Sequence, residues 1–285
     1  MEWMKGLQQA IDYIENNITN ELDYTEIAEK AYSSSFHFQR NFSIFTGITV
    51  GEYIRNRRLT LAGEEVSTSS TKIVDLANKY GYDSPESFTK AFTRFHGITP
   101  SAARKEGYVL KSFNRLSINV VSVGGEIMKY QMIKKAAFQI LARVRKVRIE
   151  EGNRAIPDFW SECSAEGCLP VLHSYARKPY TIGLFMADKE DEKSCNYGIG
   201  VECEEGITIP EGYQILTIPE HKWAVFIGLG PLPEANQVMW RKIYTEFFPQ
   251  SGLEYDDDLD FEVFPYQSDH DFEIWIPVKS KAESK

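Results

Sequence analysis

The apolar positions of this chain fall into two regimes. In the first, Phe38, Phe42 and Phe45 recur at i, i+4 and i+7, the spacing that lines one face of an α-helix, and Phe88, Phe92 and Phe95 repeat it. A short apolar segment precedes each set, Ile27-Ala28-Glu29-Lys30 or Leu76-Ala77-Asn78-Lys79, and a Gly-Ile-Thr follows at Gly47 or Gly97. The offset is 49 residues at the first segment and 50 from the first Phe onward, so one residue has been added in the turn between two helices. A duplicated helical pair in a chain too short for a long array predicts a double helix-turn-helix.

The boundary residues support this. Asp23 with Glu26 opens a helix through Ala31, Tyr32 to Ser35 supply a turn with hydroxyl caps, and Gly47 ends the next helix. In the second copy Thr71 is the expected cap for the helix carrying Ile73, Val74, Leu76 and Ala77. Gly81 breaks that helix, and Ser84-Pro85 starts the helix of Phe88. Between the copies, Thr49 and Glu52 form a capping box for a helix through Ile54, Leu59 and Leu61 toward Val66, roughly 25 Å long. Such a helix can hold two recognition helices about one DNA turn, roughly 34 Å, apart.

From Met128 onward strands take over. Ala137 to Ile149 is rich in β-branched residues, Asn153 to Ala165 reads as a helix, and Tyr180 to Met186 and Tyr197 to Val201 read as strands. The order recurs as a strand at Trp223 to Ile227, a helix from Glu234 to Phe248, and strands at Phe261 to Phe264 and Phe272 to Ile276. Ile156-Pro157 and Leu232-Pro233 are expected at equivalent helix entries. The chain is thus multidomain, an all-α double helix-turn-helix over residues 1–110 and a duplicated β-α-β-β, α+β domain over 126–281. A Ser/Asn-containing link from Gly107 to Glu126 joins them.

Aligning the last strands of the two halves puts Tyr197, Ile199 and Val201 opposite Phe272, Ile274 and Ile276, the helix-covered face. The other face has Gly198 and Gly200 against Glu273 and Trp275. Missing side chains opposite a carboxylate and an indole predict a cavity for a small cationic or amphipathic effector, with Glu273 as counter-charge. Trp160, Trp223, Trp275, Tyr197 and Tyr266 are its candidate walls. The alternative is a hydrolytic activity with a pocket Glu and Tyr as acid-base pair. Glu273 has no evident His partner or nucleophile in the sequence, so the reading is a binding domain and not an enzyme.

The whole chain carries a formal charge of -9, which opposes nucleic-acid binding. The imbalance is local: residues 1–115 hold 14 Lys+Arg and 14 Asp+Glu, and residues 116–285 hold 18 and 27. The cluster Arg55, Arg57 and Arg58 offers phosphate partners or a solvated helix face. No run of 18 apolar residues and no signal-peptide pattern is present, which predicts a cytoplasmic chain without membrane association. Cys163, Cys168, Cys195 and Cys203 lack C-x-x-C spacing and read as buried free thiols; no metal or cofactor is expected.

Residues 5–107 resemble the DNA-binding domain of the AraC/XylS activators, through Gly81-Tyr82-Asp83-Ser84-Pro85-Glu86-Ser87-Phe88-Thr89-Lys90-Ala91-Phe92 and Gly97-Ile98-Thr99-Pro100. The resemblance implies that Phe36, His37, Gln39 and Arg40 from one helix, and Ser84, Pro85, Glu86, Ser87 and Lys90 from the other, face double-stranded DNA. Arg40 and Gln39 suit direct readout, since Arg pairs with guanine and Gln with adenine. Residues 128–279 resemble the GyrI-like effector-binding domain, through Ile156-Pro157-Asp158-Phe159-Trp160, Tyr197-Gly198-Ile199-Gly200-Val201-Glu202, Trp223-Ala224-Val225-Phe226 and Phe272-Glu273-Ile274-Trp275-Ile276-Pro277. That family places a carboxylate at the position of Glu273 in its ligand pocket. Together they imply a ligand-responsive transcription activator with RNA polymerase as a further partner.

Overall fold

The computed structural model describes residues 2–105, 108–118, 128–266 and 270–281. The chain divides into two compact units, residues 2–120 and 121–285.

The first unit is helical: α1 (Glu2–Asn16), α2 (Tyr24–Lys30), α3 (Ser35–Thr46), α4 (Val50–Thr68), α5 (Ile73–Lys79), α6 (Pro85–His96) and α7 (Pro100–Ala103). The expected caps are in place. Asp23 accepts from the N–H groups of Thr25 and Glu26, Ser34 caps α3, Ser84 caps α6 with Pro85 behind it, and Thr49 and Glu52 form the reciprocal box of α4. Thr71 does not cap α5. Its hydroxyl is engaged by Ser69, and α5 begins at Ile73 behind Lys72 without a side-chain cap. Phe38 and Phe42 pack with Leu7, Ile11, Ile14, Ile27 and Tyr53 in one core; Phe88 and Phe92 pack with Leu59, Val66, Leu76 and Tyr80 in a second. Each helix pair therefore has its own core, and α4 contributes to both.

The turns of the two copies differ by the inserted residue, yet both need a left-handed residue. Gly81 has φ +76°, and at its offset position Tyr32 takes φ +54° with an exposed side chain. A non-glycine residue there costs roughly 1–2 kcal/mol.

Residues 108–118, expected to be linker, instead run extended across the helical unit. Phe113, Leu116 and Ile118 join its first core and Leu110 its second. The N–H groups of Lys111, Phe113, Leu116 and Ile118 donate to His96 Nδ1, Thr60 Oγ1, the Tyr53 hydroxyl and Gln8 Oε1. Arg57 fastens this strap to two helices: it donates from Nη1 to the Phe113 carbonyl at 2.6 Å, and from Nε and Nη2 to the two Glu15 oxygens at 2.8 and 2.9 Å. The remainder of the expected linker lies outside the described residues.

The second unit is one sheet with helices on one face. Its elements are β1 (Tyr130–Lys135), β2 (Phe138–Arg148), α8 (Gly152–Ala165), α9 (Cys168–Tyr175), β3 (Tyr180–Ala187), β4 (Ser194–Cys203), β5 (Gln214–Ile218), β6 (His221–Gly228), α10 (Glu234–Lys242), a π-helical turn Ile243–Phe247 with α11 (Phe248–Ser251), β7 (Leu253–Tyr255), β8 (Leu259–Pro265) and β9 (Phe272–Ser280). The order β5-β2-β4-β3-β8-β9-β6-β1 is a mirrored pair of β-α-β-β units meeting at β3 and β8, with β7 on β9. Duplication thus appears as a pseudo-twofold axis. The two prolines are not equivalent: Pro157 lies inside α8, whereas Pro233 precedes α10. All four cysteines are buried free thiols.

Two outcomes follow for the helical unit. Arg57 and Glu15 are 12% and 9% exposed in their side chains, so Arg57→Ala leaves a nearly buried carboxylate unpaired and is expected to cost about 3 kcal/mol. Burial pushes the Glu15 carboxyl up, but Arg57 and the Tyr53 hydroxyl outweigh it and hold the group below its usual 4.5. The pair's stabilisation is therefore complete above pH 4.5 and is lost as pH falls below it. Urea midpoints of wild type and Arg57→Ala should converge in acid; a constant gap would remove the ion pair from the account. Tyr32→Gly, by relieving the left-handed tyrosine, should raise the midpoint by the equivalent of about 1 kcal/mol.

Candidate functional site

On α6, Phe88, Phe92 and Phe95 turn one side to the core, and Glu86, Lys90 and Arg94 follow at i, i+4 and i+8 on the other. Glu86, Ser87, Lys90 and Arg94 are exposed. Pro85, Glu86, Thr89, Lys90, Thr93 and Arg94 form one open face. Ser84 is spent as a cap: its hydroxyl accepts from the Ser87 N–H at 3.2 Å, and its carbonyl from the Ser87 hydroxyl at 2.8 Å. Arg94 was not among the expected residues. Its signal was the basic i, i+4 step from Lys90 on the side away from the phenylalanines.

The equivalent positions of α3 are placed differently. Phe36, His37 and Gln39 are buried and Arg40 is half-buried, so they do not form an open face in this structure. Phe36 packs against the His37 ring at 5.0 Å, and the Gln39 amide donates to Ser35 Oγ at 3.1 Å. The expected phosphate role of Arg57 is also corrected, because its three donor nitrogens are taken by Glu15 and Phe113. Arg58 is likewise committed, to the carbonyls of Ile18 and Asn20 at 2.7 Å each. Arg55 remains exposed on α4.

In the second unit the strand register decides which candidate walls share a face. Directly paired residues lie on the same side, which puts Tyr197, Phe185 and Ile274 on the helix face and Trp223, Trp275, Phe261, Val263 and Glu273 on the other. Trp223 stacks on Phe261 at 4.7 Å and meets Trp275 edge-on at 5.9 Å. Glu273 lies on the same face next to Trp275, paired across the ladder with Ile227 and Val263, its side chain 16% exposed. Its Oε2 accepts from Trp275 Nε1 at 2.6 Å and its Oε1 from His270 Nε2 at 2.8 Å. The histidine absent from the sequence argument is thus supplied by the turn before β9. Trp223 is buried with its indole N–H unpartnered, a donor left over on this aromatic face.

Three expected walls are elsewhere. Tyr197 is buried on the helix face, accepting from Trp160 Nε1 at 2.8 Å, with Phe159 and Phe185 around its ring. Trp160 sits there with it, against Phe264. Tyr266 is exposed beside His173 of α9 and takes a 3.4 Å hydrogen bond from Thr181. Nor do the glycines open a cavity opposite Glu273. A Cβ on Gly200 would come within 2.6 Å of the Leu141 carbonyl, and one on Gly198 would touch Ala142, Val144 and Leu216. These glycines admit their own neighbours.

A second polar group on the aromatic face escaped the sequence argument. Glu202 Oε2 accepts from Lys135 Nζ at 2.6 Å and from the Tyr180 hydroxyl at 2.7 Å. Burial raises the Glu202 carboxyl, yet Lys135 and Tyr180 together hold it below its ordinary value. Burial, Glu202 and the field of Glu273 push the Tyr180 phenol upward.

An exposed helix-turn-helix face and a sheet with acidic groups among aromatic rings define a DNA-binding unit joined to an effector-binding unit. Comparison with known proteins agrees: residues 27–106 match a helix-turn-helix domain family, and residues 131–278 match the integron-associated effector binding proteins. The transcriptional activator AarP of Providencia stuartii is 39% identical over 98 residues, 34% of this chain and 73% of that one. SoxS of Salmonella typhimurium is 39% identical over 104 residues, 36% of this chain and 97% of that one. A solved structure of SAV2435 bound to tetraphenylphosphonium aligns with 55% of this chain and 97% of its own, at 21% identity and TM-score 0.48. The chain belongs to the AraC-type transcription regulators, with a C-terminal effector-binding domain of the GyrI-like fold. Double-stranded DNA is accordingly one partner and a small-molecule effector another. Among the described residues no helix is long and apolar enough to cross a membrane.

The open face of α6 yields a test on any duplex. Lys90→Ala and Arg94→Ala should each reduce the slope of log affinity against log salt by about 1, measured by anisotropy between about 50 and 200 mM salt. Arg57→Ala, measured where it remains folded, should leave the slope as it is. A slope change for Arg57→Ala alone would return that residue to the phosphate contacts.

Proposed function

We propose that the chain is a cytoplasmic activator whose effector is an amphipathic organic cation, bound on the aromatic face of the second unit with Glu273 as counter-charge. The observation that carries the proposal is the setting of that carboxylate. It stands mostly buried beside Trp275, on the sheet face that also carries Trp223 and Phe261, and accepts hydrogen bonds from Trp275 and His270. A cation laid on these rings gains cation-π attraction and a nearby negative charge together. An acceptor atom on the same ligand would satisfy the unpartnered Trp223 N–H.

On the DNA side, α6 enters a major groove with Glu86, Lys90 and Arg94 toward the bases and phosphates, and α3 contributes Arg40. α4, with 19 residues, spans about 28 Å and separates the two. Binding by one chain across two adjacent grooves follows from two helix pairs set along one helix, and contact with RNA polymerase would follow from an activating role. Regulation requires that the effector bind one state of the protein more tightly than another.

Glu273→Gln preserves shape and most hydrogen-bonding capacity while deleting the charge. Affinity for a lipophilic cation should fall at least about tenfold, while a neutral ligand of similar size should lose little, both read by calorimetric titration. DNA affinity of the unliganded variant should equal wild type. Equal losses for cation and neutral ligand would make Glu273 a shape residue and sink the proposal.

A further inference from the structure

The aromatic face already holds a cation. Lys135, the last residue of β1, places Nζ 2.6 Å from Glu202 Oε2, 4.1 Å from the centre of the Phe138 ring and 5.6 Å from that of Trp275. The Tyr180 hydroxyl completes the surround through the same Glu202 oxygen. A carboxylate, a phenol and two aromatic rings about one ammonium form the set of contacts that recognises an organic cation.

The two members of the ion pair are held very differently. Glu202 has a side chain 6% exposed and belongs to β4, inside the sheet with β3 and β2 on either side. Lys135 is 19% exposed and ends β1, the outermost strand beyond β6. A lysine on its four-carbon stem can swing its strongly hydrated ammonium into water by side-chain rotation alone. Glu202 has no such exit, so whatever cation leaves its oxygen must be replaced by another. Trp275 connects this place to Glu273: its ring faces Lys135 while its N–H donates to Glu273.

We propose that Lys135 is a resident competitor, a tethered ammonium that fills a second carboxylate subsite at Glu202 until an aromatic organic cation displaces it. The inference rests on the reading of this face as a cation site and adds to it a second counter-charge and a built-in opponent. An incoming cation laid across Trp275 takes the place of Nζ over Phe138 and pairs with Glu202, while Lys135 moves to solvent. Small, strongly hydrated monocations gain nothing by the exchange, since they replace an ammonium by its equal. Large delocalised cations gain ring contacts that Lys135 cannot make. The lysine therefore sets both the affinity threshold and the preference for bulky cations.

The test is calorimetric titration of the full chain with tetraphenylphosphonium and, as the neutral comparison, triphenylphosphine oxide. Lys135→Met should bind tetraphenylphosphonium roughly tenfold more tightly than wild type, the scale on which one partly exposed ion pair counts, with the neutral ligand little changed. Lys135→Gln, which keeps a hydrogen bond to Glu202 and guards against misfolding of the methionine variant, should shift in the same direction. Lys135→Arg, retaining the charge, should show no gain. Unchanged or weaker cation binding in both neutral variants would overturn the inference and leave Lys135 a structural ion pair. A tenfold gain in Lys135→Met alongside an unaffected Glu273→Gln would uphold it while removing Glu273 as counter-charge. Failure of wild type and all variants to bind the cation would overturn both readings together.

Discussion

The helical unit depends on the fastening of α4 at Arg57. A single guanidinium there joins α1 through both oxygens of Glu15, the strap through the Phe113 carbonyl, and its own helix. Tyr53, one turn earlier, donates to the same Glu15 and accepts from the Leu116 N–H. Bidentate arginine pairs are strong because the fork fits the carboxylate without further ordering, and a guanidinium so engaged and only 12% exposed is turned away from a phosphate. Arg58 repeats the economy on the carbonyls of Ile18 and Asn20. Two of the three arginines clustered on α4 therefore build the domain, whereas Arg55 of α4 and Lys90 and Arg94 of α6 are exposed.

The helices were legible because their determinants are local. A cap acts over three residues and an aromatic stripe over seven, so Ser84-Pro85 and Phe88/Phe92/Phe95 declare α6 unaided. The strap declares nothing. Its donors reach side chains such as Thr60 and Gln8, 53 and 110 residues distant, and its apolar residues Leu110, Phe113 and Leu116 stand three apart, neither the alternation of a strand nor the 3–4 rhythm of a helix. The same distinction explains the sheet. Its long inner strands β3, β4, β6 and β9 were visible as apolar runs. The edge strands β1 and β5 were not, because their outward positions are polar and exposed.

At the candidate pocket, the period-two argument correctly put Glu273 and Trp275 on one face, and the cross-strand register added Trp223. The same parity assigned Tyr197 to the helix face, where it is found, so listing it as a pocket wall contradicted the sequence's own pattern. Trp160 and Tyr266 failed for another reason: indoles and phenols suit cores and pockets alike, and composition cannot tell which. Lys135 and Glu202 were out of reach, since 67 residues separate them and only closure of the sheet brings them together.

The duplicated sheet supplies the aromatic face, and divergence supplies its charges. The strand alignment sets Gly198 of one half against Glu273 of the other and Glu202 against Pro277, so neither carboxylate has an acidic counterpart across the pseudo-twofold axis. The face is therefore electrically lopsided although its scaffold is symmetric. The surrounding field favours cations as well: residues 116–285 carry 27 acidic against 18 basic side chains. Such an excess raises the local concentration of cations and opposes anions over a Debye length of about 8–10 Å. The acidic balance that argued against DNA binding for the whole chain is thus confined to the effector-binding unit.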